Sequence, residues 1–160
     1  MSNKRYPKPT KYVVKDRSKY LCNPDNVILR SSWEMRLARW CDRNPSVIKW
    51  NSEDVVIKYF SKADNKQRNY HMDFYVICRK LDGTLIKLLI EVKPYSQTIP
   101  PKKRGKKSEH TYLNELYTYQ VNKDKWEHAE KFAQQNGMIF KIFDEYDLGI
   151  KPKPIDGKKK

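Results

Sequence analysis

One stretch of the chain, YHMDFYVICRKLDGTLIKLLIEVKP (Tyr70–Pro94), admits very few folds. Two apolar runs flank an Asp-Gly pair, the pattern of a β-hairpin. Side chains alternate across a strand, so Met72, Phe74, Val76 and Cys78 share one face of the first run and Asp73, Tyr75, Ile77 and Arg79 the other. In the second run Ile86, Leu88, Ile90 and Val92 form a wholly apolar face, while Leu85, Lys87, Leu89, Glu91 and Lys93 form the opposite one. Two turns compete. A two-residue Asp82-Gly83 turn sets Asp73 opposite Val92 and mixes apolar with polar faces. A three-residue loop, Leu81-Asp82-Gly83 with Gly83 left-handed, sets Lys80 opposite Thr84 and Asp73 opposite Glu91. Only the second keeps one clean apolar face, so hydrophobic patterning favours it.

That register has a chemical consequence. It brings the Cβ atoms of two carboxylates to about 4.5–5.5 Å, with a lysine on the same face. Like charges that close raise a proton affinity or recruit a cation. Mg²⁺, for which Mn²⁺ substitutes, takes one or two carboxylates and keeps waters and phosphate oxygens as its remaining ligands. Asp73, Glu91 and the Val92 backbone carbonyl offer such a half-shell, and Lys93 is placed to hold an attacking water or to counter charge at phosphorus. The competing reading of E-x-K in a lysine-rich chain is a strand end whose acid pairs with the lysine in solvent.

The surroundings are basic. Lys and Arg number 34 against 19 Asp and Glu, a formal charge of +15, which attracts polyanions and above all nucleic acid; a ribosomal-type or membrane-surface protein could carry the same balance. Lys102, Lys103, Arg104, Lys106 and Lys107 lie in a proline-punctuated segment just after the E-V-K strand, where sequence-independent contacts to a DNA backbone are expected. Gln97, between the strand and that segment, is a candidate hydrogen-bond donor to phosphate. No apolar run reaches the ~18 residues of a membrane span, the N-terminus has no signal-peptide pattern, and the three scattered cysteines suit a reducing compartment. His71 is a second-rank candidate base, and a surface position is the simpler expectation for it.

Along the chain, residues 1–30 are basic and tyrosine-rich without sustained periodicity, suggesting an extended arm. Ser31 or Ser32 caps a helix with Trp33, Leu37, Trp40 and Cys41 on one apolar face, ending at Asn44-Pro45. Asp54–Phe60 has strand character, and a polar turn region follows it. Two helices are predicted over Thr111–Val121 and Lys123–Gln135 with Gly137 beyond the second, then a strand over Met138–Tyr146 and a basic tail expected to be disordered. The fold class is α/β, a small mixed β-sheet flanked by helices. The domain would occupy residues 31–148, with an arm at 1–30 and a tail at 149–160.

A helix, an Asp strand and an E-V-K strand in that order resemble the PD-(D/E)xK restriction-endonuclease-like superfamily. The blocks RSSWE, WCDRNPSVIKWNSE, RNYHMDF, IEVKPYSQT, YTYQVNKDKWEHA and GMIFKIFDE resemble the head completion nucleases of T-even-type tailed phages and, more distantly, TnsA-type transposon-end endonucleases. The resemblance implies a metal-dependent endonuclease that processes double-stranded DNA ends around genome packaging. It implies phage head, portal or neck proteins as partners, and a location in the virion and the host cytoplasm. It also implies Asp73, Glu91 and Lys93 as catalytic positions, with Glu34 as a further metal-binding acid and Gln97 as a companion. Ser31-x-x-Glu34 is equally a helix capping box. The superfamily proline before the metal-binding Asp is Met72 here. The alternative functions are a non-catalytic DNA-binding head or neck protein that keeps the nuclease fold, and a basic nucleic-acid-binding module without an active site.

Overall fold

The loop at Leu81-Asp82-Gly83 closes the hairpin in the three-residue form. In the computed structural model, which describes residues 8–155, Lys80 N–H donates to the Thr84 carbonyl at 2.8 Å and Gly83 N–H to the Lys80 carbonyl at 3.0 Å. Gly83 has φ +84°, which an L side chain rarely adopts. Asp82 Oδ1 accepts from Thr84 N–H at 2.9 Å and from its hydroxyl at 2.6 Å, fixing the far side of the turn. The strands it joins pair as the apolar faces require: Phe74 opposite Ile90, Val76 opposite Leu88 and Cys78 opposite Ile86.

This hairpin is the centre of a four-stranded mixed sheet. In chain order the elements are β1 (Thr10–Tyr12), β2 (Val27–Leu29), α1 (Ser32–Arg43), β3 (Val47–Ser52), β4 (Val56–Ser61), β5 (Lys66–His71), β6 (Phe74–Arg79), β7 (Leu85–Val92), α2 (Glu109–Gln135) and β8 (Ile139–Phe143). The sheet order is β3-β6-β7-β8, antiparallel except for β7 and β8, which run parallel because α2 carries the chain back across the sheet. The expected α/β class, a small mixed sheet flanked by helices, is what forms.

Each face of the sheet has its own core. On one side Phe74, Val76, Cys78 and Ile90 pack with Leu37, Ala38 and Cys41 of α1 and with Val47 and Trp50 of β3. Trp50 is fully buried, its ring 4.8 Å from that of Tyr20 and 6.0 Å from those of Tyr12 and Phe74. On the other side Leu89 meets Ala129 and Ala133 of α2 and Ile57, Tyr59, Tyr70 and Met72 of the β4–β5 region. The two alanines let α2 approach closely.

Several expectations change. The arm expected over 1–30 is, from residue 8 on, part of the first core: β1 pairs with β2, and Tyr12, Val14, Tyr20, Val27 and Leu29 are buried. Three-residue strands separated by Asn23-Pro24 leave no periodicity to detect. Trp40 is 44% exposed, because the buried face of α1 runs through Leu37, Ala38 and Cys41 instead. The polar segment expected to be a turn contains β5, which pairs with β4 as a ribbon outside the main sheet; its exposed Lys66–Asn69 carry no alternation. β3 belongs to the sheet, although no strand was expected there. The two helices expected over 111–135 are one, since nothing between Val121 and Lys123 breaks the helix, and Gly137 lies past its end at φ +65°. The start of the tail expected to be disordered is held to the domain: Ile150 and Lys151 N–H both donate to the Glu145 carbonyl, at 2.8 and 3.0 Å. Residues 156–160 of it lie outside the described residues.

A Cβ at Gly83 would meet nothing within 4 Å, so substitution there costs backbone strain alone. Gly83→Ala is expected to lower stability by about 1 kcal/mol, read from the urea midpoint. An unchanged midpoint would show that the left-handed residue does not govern the turn.

Candidate active site

Asp73 lies one residue before β6, and continuing the register from Phe74 and Ile90 sets it across from Glu91. Both point to the α2 side of the sheet, as does Lys93. The Val92 N–H donates to Asp73 Oδ2 at 2.7 Å, so the end of β7 fixes this carboxylate through the backbone. Glu91 is only 3% exposed. Its Oε2 accepts from the Tyr70 hydroxyl at 2.6 Å, and its Oε1 lies 2.9 Å from Lys93 Nζ. These groups line a cleft of about 300 Å³ with Arg30, Glu53, Asn69, His71 and Lys125.

The electrostatics follow from the crowding. Burial, then the Glu91 charge, hold the Asp73 carboxyl well above the usual carboxylate range; Glu34 adds to this, while the Val92 N–H and Lys93 pull the other way. Burial works against the Lys93 charge, but Glu91, Asp73 and Glu34 outweigh it and hold the ammonium above its ordinary value. Lys125 behaves oppositely. Burial, reinforced by Lys93, brings its ammonium below the lysine range, with Glu91 and Asp73 opposing. Its Nζ stands 5.3 Å from the Tyr70 ring centre. Burial and Glu91 keep the Tyr70 hydroxyl protonated, so it serves as a donor.

Of the residues singled out in the sequence, Asp73, Glu91 and Lys93 come together. Glu34 does not line the cleft. Ser31 Oγ accepts from Glu34 N–H at 3.1 Å as a helix cap, and the Glu34 carboxylate folds back on the cap, Oε1 accepting from Ser31 Oγ at 2.9 Å and Oε2 from Arg30 N–H at 2.8 Å, so its charge reaches Asp73 from outside. Among the described residues no group of three or more Asp, Glu, His or Cys is arranged to hold a metal ion. Of the three carboxylates lining the cleft, Glu53 is paired with Arg30, which leaves Asp73 and Glu91 as the facing pair open to a cation. Gln97, exposed on a 3-10 turn, faces a different and larger groove together with Lys102, Arg104 and Lys107. Lys107 pairs with Glu115 at 2.7 Å and Lys103 pairs with Glu109, so the loop is not five free cations. His71 is exposed at the cleft rim.

Sequence reasoning missed Tyr70 because it stands at the edge of the hairpin stretch, before the residues whose faces could be assigned, and most of its strand β5 lies in the segment expected to be a turn. It missed Lys125 because the second half of α2 was scanned only for apolar residues, although Lys125 precedes Ala129 and Ala133 at four-residue steps and so continues their buried face. Asp124 beside it is fully buried and anchors the helix, accepting from Lys62 N–H at 2.8 Å and from the Gln120 amide at 2.9 Å. The rim pair, Arg30 Nε to Glu53 Oε1 at 2.6 Å, joins segments far apart in sequence. Glu53 has φ +57°, a strained conformation held by its N–H bonds to the carbonyls of Met72 and Asp73.

The crowding has a thermodynamic signature. An acid whose folded pKa is raised destabilises the fold as pH climbs through that pKa. Asp73→Asn removes the charge and keeps the acceptor for Val92 N–H. In EDTA at neutral pH the variant is expected to be about 1 kcal/mol more stable than wild type, with the gap closing as the solution is acidified into the ordinary carboxylate range. Destabilisation at every pH would mean that the Val92 bond, not repulsion from Glu91, dominates.

Comparison with known proteins places this geometry in context. The family model described as TnsA-like endonuclease N terminal matches residues 44–145. The head completion nuclease of Enterobacteria phage T4 is 38% identical over 141 residues, which cover 86% of this chain and 91% of that protein. No solved structure matches the chain.

Proposed function

The chain belongs to the TnsA-like endonuclease family, and from that membership and the cleft we propose a metal-dependent endodeoxyribonuclease that cuts double-stranded DNA during phage head completion. The observation that carries the reading is the placement of Asp73 and Glu91 across one strand pair with Lys93 beside them in a single cleft. The donor set fits a hard cation: two carboxylates whose repulsion is relieved by positive charge, with open coordination left for water and phosphate. Mg²⁺ or Mn²⁺, held by Asp73, Glu91 and the Val92 carbonyl, would supply positive charge to the phosphoryl oxygens and acidify water. Glu34, committed to its cap, acts on the site through its charge rather than as a ligand.

The chain's own groups then have defined tasks. Val92 N–H and the Tyr70 hydroxyl each occupy one oxygen of Asp73 and Glu91, orienting the others. Lys93 exchanges its Glu91 contact for the attacking water or the phosphoryl oxygen. Lys125 brings a second nitrogen, one that parts with its proton more readily than an ordinary lysine. In the hydrolysis the water oxygen bonds to phosphorus, the bond from phosphorus to one sugar oxygen breaks, and the water proton ends on that leaving oxygen. The basic loop of Lys102, Lys103, Arg104, Lys106 and Lys107 holds the backbone without regard to sequence. The named role of the T4 relative suggests action on packaged DNA ends, with head, portal or neck proteins as partners and the virion as the final location.

Purified protein incubated with linear and supercoiled DNA is expected to cut with Mg²⁺ or Mn²⁺ and not with EDTA. Asp73→Ala and Glu91→Ala should abolish cutting, and Lys93→Ala should slow it by about 10²–10³-fold, with circular dichroism showing that each variant folds. Binding without cutting under any divalent metal would replace the nuclease reading with that of a head or neck protein that grips DNA.

A further inference from the structure

The hydrolysis described above uses only the basic loop on one wall of the larger groove and leaves its α2 wall without a role. It measures about 760 Å³ and lies between the first half of α2 and the segment following β7. Its α2 wall includes Asn114, Tyr119 and Asn122, and Gln97, Lys102 and Arg104 face them. Thr111, Asn114, Glu115, Thr118, Tyr119 and Asn122 recur at helical spacing, so one whole face of this half-helix lines the groove.

Asn122 is the informative residue. The residue as a whole is only 6% exposed, but its side-chain amide makes no hydrogen bond to any described residue and is not among the buried polar atoms left without a partner, so it opens to the groove it lines. Its hydrogen-bonding capacity is therefore free for a ligand in the groove. An amide also offers a donor and an acceptor side by side, the pattern a nucleobase edge requires. Tyr119 lies one turn earlier on the same face and presents a ring on which a base can stack. The charge fits a nucleic acid strand as well: Glu115, the acid on this wall, is neutralised by Lys107 at 2.7 Å, while Lys102 and Arg104 have no acidic partner among the described residues.

We propose that this groove binds unpaired nucleotides at a DNA end and feeds the strand to the cleft. Duplex DNA keeps its Watson–Crick edges paired and its stacks closed, so only an unpaired base can offer a face to Tyr119 together with that edge to Asn122. Cleft and groove share their supporting segments, since Gln97 follows Lys93 by four residues and Asn122 precedes Lys125 by three. The inference takes its ligand from the DNA-processing reading above and deepens it to frayed or overhanging ends.

Fluorescence anisotropy of the full chain in EDTA, with a labelled blunt duplex and the same duplex carrying a short overhang, tests it. The wild type is expected to bind the overhang about tenfold more tightly, the equivalent of one base stack. Tyr119→Ala and Asn122→Ala should bring the two affinities together. Asn122→Asp, the same shape without the donor, should do likewise and guards against a packing effect of the alanine. Tyr117→Ala, exposed on α2 outside the groove, should keep the preference. Equal wild-type affinity for both duplexes, or a preference that survives Tyr119→Ala and Asn122→Ala, overturns the proposal. An overhang preference without metal-dependent cutting would reject the hydrolytic reading and leave the groove assignment standing.

Discussion

Two carboxylates face each other across an antiparallel strand pair, and the rest of the cleft is arranged around their repulsion. Left alone, Asp73 and Glu91 would separate or hold a proton. Gly83 at one end of the hairpin keeps them in register, and Val92 N–H at the other end keeps Asp73 in place. Tyr70 and Lys93 take the two oxygens of Glu91, so the buried acid is satisfied while its neighbour stays strained. A site that holds repulsion in this way gains most when positive charge arrives.

The sheet divides the labour between its faces. The side packed on α1 and on the N-terminal ribbon is apolar and closed, with Trp50 at its centre. The side packed on α2 carries the charged strand ends, and there the β4–β5 ribbon supplies Tyr70 and the helix supplies Lys125. The ribbon is therefore a functional element rather than a decoration of the fold. Its Tyr70 hydroxyl closes over Glu91, which is left almost wholly buried, so the charge there is weakly screened. Asp124, fully buried beside Lys125, ties the helix to the end of β4 and thereby sets where that lysine stands.

How much of this was legible in the sequence depends on the range of the interactions. The hairpin register followed from matching apolar faces, a local calculation that Gly83 made decisive, and it carried Asp73, Glu91 and Lys93 with it. β1 and β2 were illegible because three-residue strands have no period, and β5 because an edge strand with Lys66, Gln67, Arg68 and Asn69 exposed shows no buried face. Glu34 could be assigned as a cap or as a metal-binding acid from its spacing alone; its two cap contacts favour the first. Gln97 lay close to Lys93 in sequence, but the 3-10 turn after Pro94 directs the chain to the other groove. Lys125 lies on a separate helix, and only the crossover that makes β8 parallel to β7 brings that helix over the acids.

The two lysines of the cleft show why position outweighs residue type. Both are substantially shielded from water, which disfavours an ammonium in either case. Lys93 lies 2.9 Å from Glu91, and that contact keeps its charge; Lys125 rests on the face of Tyr70, feels Lys93 as a like charge, and loses part of its own. One nitrogen is thus kept as a fixed cation and the other is made a readier proton donor, within a cleft of about 300 Å³. Swapping their surroundings would exchange their roles. In a chain carrying +15 overall, a lysine near the site is unremarkable; the difference between these two comes from Glu91.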